Sequence, residues 1–255
     1  MLTPIIFALG IAFGSFLSML IPRIRKSESG IFLGRSHCIF CKKNLEARDM
    51  VPVLSYFWNR AKCRFCNKKI SALYPIIEIL TGIIFVLIYL KFPVATLAQT
   101  PETIFYLLIS LALIFTFFYD LKYLEISDLV LVPAIILALI GTLLPNTPSF
   151  TSALLGVAIG IGFFLIQIII SKGKWVGAGD IRIGALMGAV LGWQLTLVAL
   201  VLSYLIGSVF SVPILITGKK QLGEKVPLGP FLVMGTFLTI FLGEKILAWY
   251  LSLAI

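Results

Sequence analysis

Long apolar stretches separated by short polar segments dominate the chain. Seven of them approach the roughly 20 residues that a helix needs to cross about 30 Å of hydrocarbon. They cover residues 2–21, 75–92, 103–119, 129–144, 151–170, 194–216 and 231–251. An eighth, at 181–191, is about half that length and rich in glycine, so it predicts a short, tilted or partly re-entrant helix. The pattern predicts an all-α, polytopic membrane protein with seven to eight spans.

The composition agrees with a membrane protein. Of the 255 residues, 60% are hydrophobic and 13% are charged, and the mean hydropathy is +1.07. A soluble domain of this size carries roughly twice that charged fraction. No basic residue precedes the first apolar stretch, so we expect it to be a span and not a cleaved signal peptide.

The basic residues predict an orientation. Twelve of the 21 Lys and Arg residues fall between positions 22 and 73, and alternating spans place all the others except Lys91 and Lys245 on the same side. The positive-inside rule therefore puts these loops in the cytoplasm and both termini outside. The net charge of +10 follows this topology, so we expect membrane lipid and no nucleic acid as a partner.

The only soluble-looking segment, residues 23–73, contains two Cys-x-x-Cys pairs separated by 21 residues: Cys38, Cys41, Cys63 and Cys66. Each two-residue gap allows both thiolates of a pair to bind one tetrahedral ion, so the spacing predicts structural zinc. The alternatives are unliganded thiols or two disulfides, which seldom persist in the cytosol. His37, the only histidine, is expected to be a solvated neighbour of the cluster.

Carboxylates at membrane depth are costly and usually functional. Glu102 and several other acids are assigned to solvated loops, whereas Glu78, Asp120, Asp128, Asp180 and Glu244 fall at or near predicted spans. Asp120 closes an apolar run, and Asp180 ends Gly177-Ala178-Gly179-Asp180, in which the glycines allow another segment to approach closely. The predicted topology places both aspartates at the same membrane face.

Two neighbouring carboxylates are suited to peptide hydrolysis. They do not both ionise easily, so one keeps a proton and the pair supplies an acid and a base. The alternative for a membrane aspartate is an ion-coupling site or a helix cap: Asp180 before Ile181, or Asp128 before Leu129. For Asp128 we favour the cap.

Several motifs in a fixed order resemble those of the prepilin peptidases, GxGD aspartic proteases of type IV pilus and type II secretion systems. They are Gly14-Ser15-Phe16-Leu17, the cysteine pairs flanking Val51-Pro52-Val53-Leu54-Ser55-Tyr56, Tyr74-Pro75-Ile76-Ile77-Glu78, Gly177-Ala178-Gly179-Asp180, Pro227-Leu228-Gly229-Pro230-Phe231, and Asp120 six residues before Ile126-Ser127-Asp128. The resemblance covers almost the whole chain.

The resemblance implies a bacterial inner-membrane endopeptidase, with Asp120 and Asp180 as catalytic residues, that removes a short basic leader from prepilins or pseudopilins. It also implies N-methylation of the new amino terminus with S-adenosylmethionine, whose binding residues the sequence does not reveal. Glu78, just inside the second span, is the candidate for orienting that amine, or is structural, as a buried partner of Lys68 or Lys69.

On this reading, residues 1–22 form the first span, 23–73 the zinc-binding loop, 74–102 the second span with an external loop, and 103–255 the protease core.

Two other functions are compatible with a membrane protein that has these residues. A secondary transporter would use the aspartates for ion coupling, and a non-catalytic assembly factor would use the cysteine loop for docking. The oligomeric state is not defined by the sequence.

Overall fold

The computed structural model describes residues 2–26, 36–94, 96–216 and 227–253. Within these ranges the secondary structure is helical, apart from two isolated β-bridges, which confirms the predicted all-α class. The helices are α1 (Thr3–Arg25), α2 (Leu54–Trp58), α3 (Leu73–Lys91), α4 (Thr100–Tyr123), α5 (Asp128–Gly141), α6 (Phe150–Ser171), α7 (Ala178–Ile216) and α8 (Gly229–Leu253). The basic segments at 27–35 and 217–226 that entered the orientation lie outside the described residues.

Six of the described helices are long and apolar enough to cross a membrane: α1, α3, α4, α6, α7 and α8. The predicted span at 129–144 is shorter than expected, because α5 ends at Gly141 and its 14 residues reach only about 21 Å. The predicted stretches at 181–191 and 194–216 belong to one helical element, α7, which begins at Ala178.

Gly192 breaks α7 into two arms. Its φ of 72° and ψ of 172° lie in a region that is essentially restricted to glycine. A Cβ at this position would also lie 2.5 Å from Ser152 Oγ. The break explains why the sequence shows two apolar stretches with glycine between them.

The chain divides into two compact units, Met1–Ala95 and Thr96–Ile255. In the first unit, α1 and α3 form an antiparallel pair in which glycines permit very close approach. A Cβ on Gly10 would lie 2.7 Å from the Gly82 Cα, and one on Gly14 would lie 2.7 Å from the Glu78 Cα. This packing of small residues is typical of helices associating within a membrane.

In the second unit, α4 is the most buried of the long helices and packs against α5 and α8. Helices α6 and α7 meet backbone to backbone, with Gly156 facing Gly188 and Gly160 facing Gly184. This contact fixes the first arm of α7, which carries Asp180, against its neighbour.

Candidate active site and cysteine cluster

Asp120 is buried in the last turn of α4. The helix ends because Leu124 adopts a left-handed conformation with φ of 54°, and its amide donates to the Asp120 carbonyl oxygen at 2.9 Å. A single left-handed residue is a common way to end a helix and reverse the chain. The side chain of Asp120 is therefore fixed on a rigid, buried helix just before a turn.

Asp180 is buried in the first turn of α7. Its Oδ2 accepts a hydrogen bond from the Gly177 amide at 2.9 Å, and its own amide donates to the Gly177 carbonyl oxygen at 3.1 Å. These two bonds close the Gly177–Asp180 turn. The carboxylate thus binds the amide just before the helix and not the later amides that a cap before Ile181 would bind, because α7 begins three residues earlier, at Ala178.

The two aspartates lie near each other, beside the start of α8. The Gly229 amide donates to Asp120 Oδ2 at 2.9 Å, and a Cβ on Gly229 would lie 3.2 Å from Ile183 Cδ1, one turn after Asp180. Asp120 and Asp180 are close enough for their charges to interact. The structure therefore brings together the two aspartates that the sequence predicted to meet; their catalytic role remains a prediction at this point.

The glycines of the Gly177-Ala178-Gly179-Asp180 turn differ in their surroundings. A Cβ on Gly179 would lie 2.7 Å from Ile126 Cδ1 and 2.9 Å from Ile126 Cβ, so the segment between α4 and α5 packs directly on this glycine. A Cβ on Gly177 would meet only Asp180 Oδ2, at an ordinary 3.5 Å. The predicted close approach occurs at Gly179 and not at Gly177.

Asp128 does not cap α5 as the sequence favoured. It is the first residue of the helix, after Ser127, and its Oδ1 lies 2.7 Å from Arg182 Nε. This ion pair joins the start of α5 to the first arm of α7. The pair is largely exposed, and exposed pairs contribute about 0–1 kcal/mol.

The four cysteine sulfurs converge. All four Sγ atoms lie within 4.8 Å of one another, and Cys38 Sγ and Cys66 Sγ are 3.8 Å apart. A zinc ion with Zn–S bonds of about 2.3 Å in tetrahedral geometry separates its sulfurs by about 3.8 Å. The four residues are thiols in the structure. Their chemistry and spacing therefore fit a single zinc ion, and His37 is not part of the group.

The two cysteine pairs have the same backbone geometry. In the first, the Cys38 amide donates to the Lys43 carbonyl oxygen and the Lys42 amide donates to the Cys38 carbonyl oxygen, both at 2.9 Å. The same two bonds recur 25 residues later, from Cys63 to Lys68 and from Asn67 to Cys63, again at 2.9 Å. The pairs therefore form two equivalent turns, each presenting two sulfurs to a common centre.

The surroundings of Cys66 disfavour its thiolate form while no cation is bound. The backbone of Lys68 lowers the pKa of Cys66, but desolvation and the three neighbouring thiols outweigh it, and the pKa rises to about 11. A thiol in this environment keeps its proton at neutral pH until a metal displaces it. Zinc binding is therefore expected to release protons.

Glu78 is buried in α3, and its Oε2 accepts a hydrogen bond from the Val53 amide at 2.6 Å. Its carboxylate also hydrogen-bonds with the Ser15 side chain of α1. The expected partners Lys68 and Lys69 are instead exposed. Glu78 is thus a buried connection, but to a backbone amide and a hydroxyl and not to a cation.

Two residues of note were not singled out from the sequence. Gly229 was quoted within a motif without a role, and the signal that marks it is Gly-Pro at the start of an apolar helix. Glu102, which was assigned to a solvated loop, is buried in the first turn of α4 and accepts a hydrogen bond from Asn146 Nδ2 at 3.2 Å.

The fold and the aspartate pair define a class, a polytopic helical membrane protein with the layout of an intramembrane aspartic protease. Residues 8–92 match the family described as Bacterial Peptidase A24 N-terminal domain, and residues 107–212 match the Type IV leader peptidase family. No solved structure matches the chain.

Curated relatives extend these matches over nearly the whole chain. The prepilin leader peptidase/N-methyltransferase of Bacillus subtilis is 30% identical, covering 98% of this chain and 98% of the relative. Proteins of the same name from Aeromonas hydrophila and Pseudomonas aeruginosa are 29% and 25% identical, covering 87% and 91% of this chain and 76% and 80% of their own. The chain belongs to the prepilin leader peptidase family.

Proposed function

We propose that this protein is a membrane aspartic endopeptidase that removes the short basic leader from type IV prepilins or pseudopilins. The observation that carries the proposal is the pairing of Asp120 and Asp180 at one end of the second unit, each held by a backbone amide. The names of the relatives supply the substrate class.

The pair performs acid–base hydrolysis. The ionised carboxylate takes a proton from a water molecule, whose oxygen attacks the scissile carbonyl carbon, while the protonated carboxylate donates to the carbonyl oxygen. Return of a proton to the leaving nitrogen then breaks the C–N bond, and the pair recovers its single proton. The backbone amides of Gly229 and Gly177 each donate a hydrogen bond to Oδ2 of one aspartate. These hydrogen bonds hold the carboxylates in position and leave Oδ1 of each aspartate available.

The site acts at the cytosolic edge of the bacterial inner membrane. Asp120 and Asp180 each lie within a turn or so of the end of a long apolar helix, so both are near a membrane boundary. The charge distribution of the sequence assigns that boundary, and the cysteine loop, to the cytosol, with both termini outside. A leader kept cytosolic by its own basic residues would present its junction with the apolar pilin helix at this level.

The protein also N-methylates the new amino terminus, in keeping with the names of its relatives, and S-adenosylmethionine is the methyl donor that we propose. Within the described residues, no cluster of side chains identifies the site of the methyl donor. Glu78 remains the candidate for orienting the amine, although its bonds to Val53 and Ser15 support the structural alternative.

Cys38, Cys41, Cys63 and Cys66 would hold one structural zinc ion. Four cysteine ligands would complete its coordination and leave no position for a catalytic water. The ion would therefore stabilise the loop between α1 and α3, and hydrolysis relies on the aspartates.

Co-expression with a candidate pilin, followed by mass measurement of the intact product and its N-terminal peptide, tests these assignments together. Asp120→Asn and Asp180→Asn should each reduce cleavage by at least about 10²-fold, because one carboxylate cannot be both acid and base. Asp128→Asn is the matched control and should retain most activity. Near-normal processing by either of the first two variants would exclude the aspartate assignment.

The same measurement separates methylation from cleavage. If Glu78 orients the amine, Glu78→Gln should yield cleaved pilin that lacks the methyl increment. Fully methylated product at normal yield would remove Glu78 from the methyl-transfer site, and joint loss of both activities would make it a structural residue.

A further inference from the structure

The short helix α2 presents an exposed apolar face. Leu54, Phe57 and Trp58 stand at positions i, i+3 and i+4, which share one side of a helix. They are 50%, 64% and 64% exposed, so nothing in the described part of the chain covers this face. A helix of five residues in which three side chains are apolar and uncovered would be unfavourable in water.

The start of α2 lies beside α3, inside the first end of that apolar helix. The 19 residues of α3 reach about 28 Å, which is close to the full thickness of the hydrocarbon, and Glu78 is five residues, or about 7.5 Å, inside its first end. The bond from the Val53 amide to Glu78 Oε2 places Val53 at that depth, and Leu54 follows directly.

Helix α1 gives a second measure of this depth. Gly14 packs on the Glu78 backbone, and the next charged residue of α1 toward the cysteine loop is Arg23. Arg23 is nine positions along the helix from Gly14, a rise of about 14 Å. Both helices therefore place Glu78, and with it Val53, within the length of their apolar stretches and not beyond the ends.

The turn before α2 has the chemistry that such a depth requires. Val53 has φ of 62° and ψ of −55°, and the Leu54 amide donates to the Pro52 carbonyl oxygen at 2.6 Å, which defines a γ-turn with positive φ. This conformation is strained for a β-branched residue. Non-helical backbone at membrane depth persists only where protein groups satisfy it, and Glu78 accepts the Val53 amide there.

The segment that carries α2 is strongly basic. Residues 36–72 contain eight Lys and Arg residues and two acids. Arg60 and Lys62 follow α2 directly and are exposed, as are Lys68 and Lys69 before α3. Basic side chains next to an apolar and aromatic face are characteristic of segments that lie in the interface of an anionic bilayer.

We propose that α2 is an interfacial anchor that inserts Leu54, Phe57 and Trp58 into the leaflet beside the α1–α3 pair. The anchor holds the basic segment at 36–72 on anionic lipid headgroups. Glu78 is the positioning residue for this anchor, because it fixes the turn that lowers α2 into the membrane. The proposal is independent of the aspartate pair and of proteolysis.

Trp58 reports directly on this anchor. Full-length protein is reconstituted into vesicles of phosphatidylcholine with phosphatidylglycerol, and the emission of Trp58 is obtained by subtracting the spectrum of Trp58→Phe from that of the wild type. Lipids brominated near the headgroup end of the acyl chain should quench Trp58 more than lipids brominated near the methyl end, and aqueous acrylamide should quench it least. Trp175, which is 70% exposed outside the helices, is measured in the same way as a comparison.

Two variants of one residue test the mechanism. Glu78→Gln keeps a carbonyl acceptor for Val53 and should leave Trp58 protected from acrylamide, whereas Glu78→Leu removes the acceptor and should shift its emission to the red and expose it. Zinc content and elution as a single species verify that both variants are folded.

In pure phosphatidylcholine at high salt, trypsin should cleave after Arg60 and Lys62 faster than in vesicles with phosphatidylglycerol.

Three results would overturn the proposal. The first is a wild-type Trp58 that is quenched by acrylamide and not by brominated lipids. The second is protection of Trp58 from acrylamide that varies with the protein-to-lipid ratio, which would indicate contact with a second copy. The third is protection of Trp58 that appears only when a pilin peptide is added. Equal accessibility of Trp58 in Glu78→Gln and Glu78→Leu would exclude Glu78 as the positioning residue.

Discussion

Replacing Gly229 with alanine perturbs the aspartate pair without removing either carboxylate. The added Cβ would lie 2.5 Å from Asp120 Oδ2 and 3.1 Å from its Cγ, whereas ordinary contacts begin near 3.4 Å. The carboxylate oxygen must therefore retreat by about 0.9 Å, which lengthens the 2.9 Å bond from the Gly229 amide beyond a useful distance.

The size of the effect follows from that bond. A hydrogen bond to a charged group contributes about 1.5–3 kcal/mol, and a displacement of about 1 Å at a catalytic group costs up to about 10²-fold in rate. Since 1.4 kcal/mol corresponds to about tenfold, we expect Gly229→Ala to lower kcat/KM for pilin cleavage by about 10- to 100-fold. Asp120→Asn should cost more, because it removes the acid–base group itself.

The assay is the initial rate of leader removal from a purified pilin by protein in detergent or vesicles. Gly162→Ala is the matched control, because a Cβ at Gly162 meets no atom within 4 Å and alanine is favoured over glycine in a helix by about 0.5–1 kcal/mol. It should keep full activity with equal or higher thermal stability. A Gly229→Ala protein that is folded and cleaves within twofold of the wild type would refute the role of this amide.

Three further predictions concern other contacts, each of which lies within one of the two units. Gly179→Ala should lower cleavage at least about tenfold, because it displaces the segment between α4 and α5, whereas Gly177→Ala should stay within a few-fold of the wild-type rate. The purified protein should contain about one zinc ion per chain by elemental analysis, and Cys38→Ser should release it with loss of order in the loop; full zinc content in that variant would contradict the four-sulfur site. Asp128→Arg or Arg182→Asp alone should reduce activity a few-fold, in line with an exposed ion pair, and the double exchange should restore it; no recovery would show that the pair does not join α5 to α7.

The elements that the sequence predicted well are those that depend on local composition. The length of each apolar stretch predicted a span, and the two-residue gaps predicted the cysteine pairs. Both predictions succeed because each signal is contained in one short, continuous part of the sequence. Their structural counterparts are the long helices and the two equivalent cysteine turns. The nearness of Asp120 and Asp180 also followed, since each ends or begins an apolar stretch on the same predicted face.

The elements that the sequence missed depend on backbone dihedral angles or on distant partners. The hydropathy of a residue does not reveal its backbone angles. The sequence therefore predicted two separate helices where α7 is one element broken at Gly192, and it predicted a longer span where α5 ends at Gly141. Asp128 was expected to cap its own helix, but Arg182 on α7 competes for its carboxylate. The burial of Glu102 likewise depends on tertiary packing, and its hydrogen bond to Asn146 spans 44 positions of sequence.

The way in which the aspartates are held explains how an acidic pair can persist beside apolar helices. Asp180 lies in the first turn of α7 and accepts the amide of Gly177, and Asp120 accepts the amide of Gly229, the first residue of α8. Both donors belong to helix N-termini, whose free amides and dipoles favour negative charge by about 0.3–1 kcal/mol each. The carboxylates in turn satisfy amides that would otherwise be unpaired at the ends of these helices. Each helix start therefore stabilises a carboxylate, and each carboxylate stabilises a helix start, so loss of either glycine amide is expected to affect folding and catalysis together.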